Sequence, residues 1–194
     1  MQMIKKLMCG LALMGCALSS HAEVQGFDWA YTGFLPSWGS ETNPEPKYGE
    51  FNPDHVLKGR FFAEDRDLNG VFSAAEVTSF TIYGESFMNC TGVRRCGLSE
   101  FSFTPGGALS FYAYDSVEYG VWREGWSRTS RGFEAGRRFY TSYESDWSVG
   151  RVQDYGVTAQ TKFAISAVPE PQTWLMMGAG IALLGAAKRR SRKA

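Results

Sequence analysis

The chain is short of the residues that most catalytic and metal chemistry requires. Of 194 residues only two are histidine, His21 and His55, and only four are cysteine. His21, Cys9 and Cys16 fall in an N-terminal leader described below. With one histidine and two cysteines remaining, a zinc site built from several such ligands is excluded by count. A Ser-His-Asp or Cys-His arrangement would have to use His55, in the stretch Asn52-Pro-Asp-His55, where no nucleophile motif stands beside it. Composition leaves a carboxylate-pair glycosidase open but singles out no pair. The expectation is a protein that is not an enzyme.

Charge excludes a second class. The whole chain balances 20 basic against 20 acidic residues, but residues 23–167 carry 13 basic and 19 acidic ones, a net charge of about −6. An acidic body in an exported chain argues against nucleic-acid binding.

Residues 23–167 also lack helical periodicity and have little leucine or lysine. They alternate instead. Strands are predicted at Val77–Tyr83, Leu109–Tyr114, Val117–Trp122, Arg138–Tyr143 and Val157–Ile165, with a tight hairpin turn at Asp115-Ser116. Residues 36–54, with Pro36, Pro44, Pro46 and Pro53, read as an extended loop. Glycine and proline punctuate the rest, as at Pro105-Gly106-Gly107. The predicted fold is all-β, an antiparallel β-sandwich-like domain large enough for a sizeable core.

The two ends are addressed to membranes. Lys5 and Lys6 precede an apolar run, Leu7–Leu18, too short to span, and Ser20-His21-Ala22 offers small residues for signal peptidase. Residues 1–22 are predicted to be a signal peptide. A competing reading makes Leu13-Met14-Gly15-Cys16 a lipobox with Cys16 lipidated. Export puts Cys90 and Cys96 in an oxidising compartment, where a disulfide is expected; their five-residue gap is not the two-residue gap of redox and metal pairs.

At the other end stand Val168-Pro169-Glu170-Pro171, 14 uncharged residues from Trp174 to Ala187, and Lys188-Arg189-Arg190-Ser-Arg-Lys-Ala194. A full span needs roughly 20 apolar residues, so this one would cross the inner membrane only with bilayer thinning and a snorkelling Lys188. Trp174 suits an interfacial anchor, and the basic end belongs on the cytoplasmic side. The other reading is a short buried core helix. In this order the three parts resemble the PEP-CTERM sorting signal of Gram-negative bacteria. That resemblance covers residues 168–194 and implies exosortase as a processing partner, in bacteria that make exopolysaccharide. It also implies anchoring in the inner membrane followed by passage to the cell surface or extracellular matrix.

One internal segment has metal-ligand spacing. Asp65-Arg-Asp67-Leu-Asn69-Gly70-Val71-Phe-Ser73-Ala-Ala-Glu76 resembles the calcium loop of an EF-hand. The resemblance implies side-chain oxygens from Asp65, Asp67 and Asn69, the carbonyl of Val71, Ser73 directly or through water, and a bidentate Glu76. Leu68 and Phe72 depart from the pattern, and the flanks do not read as paired helices. The alternative is a surface hairpin with a type I′ turn at Asn69-Gly70. Finally, Trp29, Trp38, Trp122, Trp126 and Trp147 have two readings. They are core and sheet-face packing, or they form a sugar-stacking platform that would make the body a carbohydrate (exopolysaccharide)-binding module. The charged stretch Arg123–Arg138 reads as a solvated sheet face.

Overall fold

A computed structural model describes residues 23–40 and 43–169. The signal peptide expected at 1–22, residues 41–42 and residues 170–194, with Glu170, Pro171, Trp174, Lys188, Arg189 and Arg190, lie outside the described residues. Twelve strands and no helix occur among the described residues: β1 (Val24–Ser40), β2 (Asn43–Tyr48), β3 (Asn52–Glu64), β4 (Phe72–Ser73), β5 (Val77–Ile82), β6 (Glu85–Ser86), β7 (Arg94–Phe103), β8 (Leu109–Tyr119), β9 (Ser127–Glu134), β10 (Arg138–Ser145), β11 (Ser148–Gly156) and β12 (Lys162–Val168). All pairings are antiparallel, as expected. They join into one curled sheet in the order β4-β7-β8-β9-β10-β11-β1-β3-β5-β6, with β12 and β2 added on β1.

The 17-residue β1 makes the curl. Its first half pairs with β12 on one side and β3 on the other, and its second half pairs with β11 and β2. The register slips between Thr32 and Phe34, where Gly33 takes φ 88. An added Cβ at Gly33 would lie 2.6 Å from the Phe51 ring, so bend and packing both need glycine there.

Phenylalanine fills the space between the two halves of the curl. Alternation along β1 turns Phe27, Trp29 and Tyr31 inward, and along β8 it turns Leu109, Phe111 and Ala113 inward. Rings then meet across the core: Phe27 and Phe103 at 4.8 Å between centroids, Trp29 and Phe111 at 5.0 Å, Phe61 and Phe101 at 5.0 Å, Phe34 and Phe139 at 5.0 Å. Each fully buried ring contributes roughly 1.5–3 kcal/mol. At Gly59 an added Cβ would lie 2.3 Å from the Thr81 carbonyl oxygen and 2.4 Å from the Trp29 ring. The missing side chain makes room for that indole.

Two expectations are corrected. Asp115-Ser116 is not a turn: β8 runs through it to Tyr119, and Asp115 faces the core at 2% exposure. The reversal comes later, between Gly120 and Gly125, both at positive φ. Residues 36–54 are not an extended loop either. β1 continues to Ser40, and β2 pairs with it through Ser37↔Tyr48 and Trp38↔Lys47. Pro44 and Pro46 are tolerated because β2 pairs with β1 alone, and an edge strand can spare the missing N–H donors.

Candidate functional site

The loop between β3 and β5 carries the predicted metal ligands. Its strands are pinned at the base by the Glu64 N–H, which donates to the Glu76 carbonyl at 3.0 Å. Asp65 accepts from the Asn69 N–H at 3.1 Å and the Gly70 N–H at 2.9 Å, curling the chain back on itself. Asp67 accepts from Asn69 Nδ2 at 2.8 Å, and Asn69 Oδ1 accepts from the Val71 N–H at 2.6 Å. Leu68 and Gly70, at φ 57 and 77, take the left-handed positions. A type I′ turn would need positive φ at Asn69 and Gly70, so the turn type is corrected, while the segment does connect the antiparallel strands β3 and β5 as a surface hairpin loop.

Glu76 enters from the strand side and is nearly buried, at 6% exposure. One oxygen accepts from the Arg66 N–H at 2.9 Å; the other accepts from the Ser73 N–H at 2.9 Å and the Ser73 hydroxyl at 2.8 Å. The Ser73 backbone and hydroxyl donors lead in holding its pKa below the ordinary carboxylate value, outweighing desolvation. Oxygens of Asp65, Asp67 and Glu76 come within 4.8 Å of one another. The fold thus brings the three predicted carboxylate ligands together. Asn69 and Val71 serve the turn, Ser73 holds Glu76 in place, and strands rather than helices flank the loop.

A second carboxylate cluster gave no sequence signal. Asp115 accepts from Arg94 Nε at 2.8 Å and from Arg131 Nε and Nη2 at 2.9 and 2.6 Å. Arg131 also reaches Glu85 at 2.5 Å, tying β9 to β6 in the facing half of the curl. Both guanidinium groups lie over the Phe87 ring, at 5.2 and 5.8 Å. The bond to Asp115, foremost, pushes the Arg131 pKa up. Reading Arg123–Arg138 as a solvated face therefore fails at Arg131. The Cys90–Cys96 disulfide, with Cα atoms 5.7 Å apart, closes the segment leading into β7 beside this cluster. His55 packs against Phe34, Phe139 and Tyr155, and burial pushes its pKa down.

The tryptophans divide. Trp29 belongs to the core, whereas Trp38, Trp122 and Trp147 are exposed and Trp126 is half-buried. A groove of about 650 Å³ crosses the outer face of β12, β1, β3 and β5, with Asp28, Lys58, Arg60, Tyr83 and Ser166 on its walls. Arg60 and Asp28 close a bidentate pair there, at 2.6 and 2.9 Å.

β12 ends at Val168, opposite Gly26 at the start of β1, and Pro169, exposed, follows at once. Residues 167–193 match the PEP-CTERM protein-sorting motif. That motif implies a protein exported and sorted by exosortase, membrane-anchored and directed to the cell surface. No curated protein and no solved structure is significantly similar to the chain.

Proposed function

We propose that the chain is a non-enzymatic surface or extracellular-matrix protein of a Gram-negative bacterium, a β-sandwich module delivered by its sorting tail and stiffened by calcium at residues 65–76. The observation that carries the delivery is the continuity of fold and motif: the last core-paired strand runs directly into Val168-Pro169. Signal peptidase at 1–22, the inner membrane at 174–190 and exosortase near Pro169-Glu170-Pro171 are its processing partners. A non-enzymatic role is supported by the packing of the body's one histidine among three rings.

Calcium is supported by the charge of the loop. Three carboxylates converge, and backbone N–H groups, the Asn69 amide and Ser73 hold them rather than any cationic side chain among the described residues. Extracellular modules bind calcium at roughly 10⁻⁴–10⁻³ M, so such a site would be structural, filled on export. Delivery is tested by fractionating cells that express the full chain with and without exosortase, beside a Glu170→Ala variant. The expected result is surface or medium localisation only with exosortase and an intact motif. Identical fractionation in all three would overturn it.

A further inference from the structure

We propose that the end of the sandwich opposite the tail is a stacking platform for a neutral glycan, built on Trp122, Trp126 and Trp147. It gives the surface-module reading a ligand class but is tested independently of sorting and of calcium.

The register fixes where the platform lies. Val168 pairs with Gly26 at the start of β1, and the 65–76 loop leaves β3 where Glu64 faces Val24. Ser40, at the far end of β1, pairs with Arg151. Tyr119↔Ser127 and Ser145↔Ser148 close the neighbouring hairpins at that same far end. The chain outside the structure, with the membrane-directed tail, therefore departs from one end. The 120–126 and 146–147 turns crown the other.

Those turns are built to hold rings outward. Trp122 is 61% exposed and Trp147 85%, beside Tyr119 and Val121 at 62% each. Trp122 meets Trp126 at 5.0 Å between centroids. Asp146 clamps the turn, accepting from the Gly125 and Trp126 N–H groups at 3.1 and 2.8 Å. An added Cβ on Gly120 would lie 2.4 Å from the Gly125 carbonyl oxygen, so the two ends of the turn touch. Arg128 lies 5.7 Å from the Trp126 ring centre and bonds Glu144 at 2.7 Å. A surface fixed in this way loses little entropy when it binds.

The chemistry selects the occupant. Exposed apolar side chains gathered on adjoining turns mark a binding site. Here they are Tyr119, Val121, Trp122 and Trp147, on turns joined where the Asp146 N–H donates to the Trp126 carbonyl at 3.1 Å, and indole faces match the C–H faces of pyranose rings. Glu118, Glu144 and Arg128 at the rim offer paired acceptors and donors for vicinal hydroxyls. Four carboxylates, Glu118, Glu124, Glu144 and Asp146, stand against three cations, Arg123, Arg128 and Arg151, a net negative balance. That balance gives no basic patch for acidic polysaccharide or anionic lipid, and the platform points away from the tail.

The test is retention of the full chain, purified in detergent, on immobilised neutral α- and β-glucans, mannan and galactan. Alginate and vesicles containing phosphatidylglycerol serve as comparisons. Trp122→Ala and Trp147→Ala touch no core residue, and an unchanged melting temperature would confirm that. Expected is retention on at least one neutral glycan, insensitive to salt and weakened about tenfold or more by each substitution, with Tyr83→Ala in the groove leaving it intact. Retention on no neutral glycan, loss through Tyr83→Ala alone, preference for vesicles or alginate, or ring-dependent self-association without glycan binding would each overturn the proposal.

Discussion

Among the described residues two carboxylates are buried, Asp115 and Glu76, and they are satisfied in different ways. Asp115 is held by two guanidinium groups, so its countercharge is part of the chain. Glu76 is held by N–H groups and a hydroxyl, which supply hydrogen bonds but no net positive charge, and two further carboxylates stand beside it. The first arrangement is closed: Arg94 and Arg131 bind Asp115, stack on Phe87 and link β7, β8 and β9 to Glu85. The second concentrates negative charge at a turn with its hydrogen bonds already made. A buried charge costs several kcal/mol unless it is paired. The contrast separates a structural lock from the loop proposed to take calcium.

That contrast can be broken at the lock first. Asp115→Ala leaves two partly buried guanidinium groups facing each other, with a loss of about 3–5 kcal/mol, read as a lower midpoint in chemical denaturation. Removing the neighbouring disulfide with Cys90→Ser and Cys96→Ser costs less, about 2 kcal/mol for so short a loop, measured the same way. Glu85→Ala removes only the half-exposed end of the network, so about 1 kcal/mol or less is expected; a loss equal to that of Asp115→Ala would make the bridge between sheet halves, and not the buried carboxylate, the lock.

The smallest effect is in pH. Without metal, the folded-state pKa of Glu76 lies below its ordinary value of 4.5. Its stabilisation is therefore complete above the unfolded pKa and is lost as pH falls through the lowered folded value. A melting series from pH 6 downward should show that loss in the parent and not in Glu76→Gln. An equal loss in both would assign it to other carboxylates.

Much of this fold was legible in local patterns. The alternation of Leu109, Phe111 and Ala113 announced a strand with one buried face. What misled was local chemistry overruled by distant partners. Asp115-Ser116 has turn composition, but Arg94 and Arg131, on strands separated in sequence, draw Asp115 inward as part of β8. Pro44 and Pro46 suggested irregular chain because the sequence does not reveal that β2 needs pairing on one side only. Nothing local distinguished Trp29 from Trp122. Gly59, 30 residues away, makes the space for the first, and Asp146 holds out the turn that bears the second. The tail was readable because its three parts are contiguous.

The most direct test of the contrast is a thermal melt of the purified, oxidised protein in EDTA and in millimolar calcium, beside Glu76→Gln and Asp115→Asn. Millimolar calcium over a Kd of roughly 10⁻⁴–10⁻³ M adds about 0.4–1.4 kcal/mol, a rise of about 1–5 °C in a domain of this size. The expected result is that rise in the parent and in Asp115→Asn, from a lower starting point, and none in Glu76→Gln. A melting temperature indifferent to calcium in the parent would contradict the account and leave residues 65–76 a hydrogen-bonded turn.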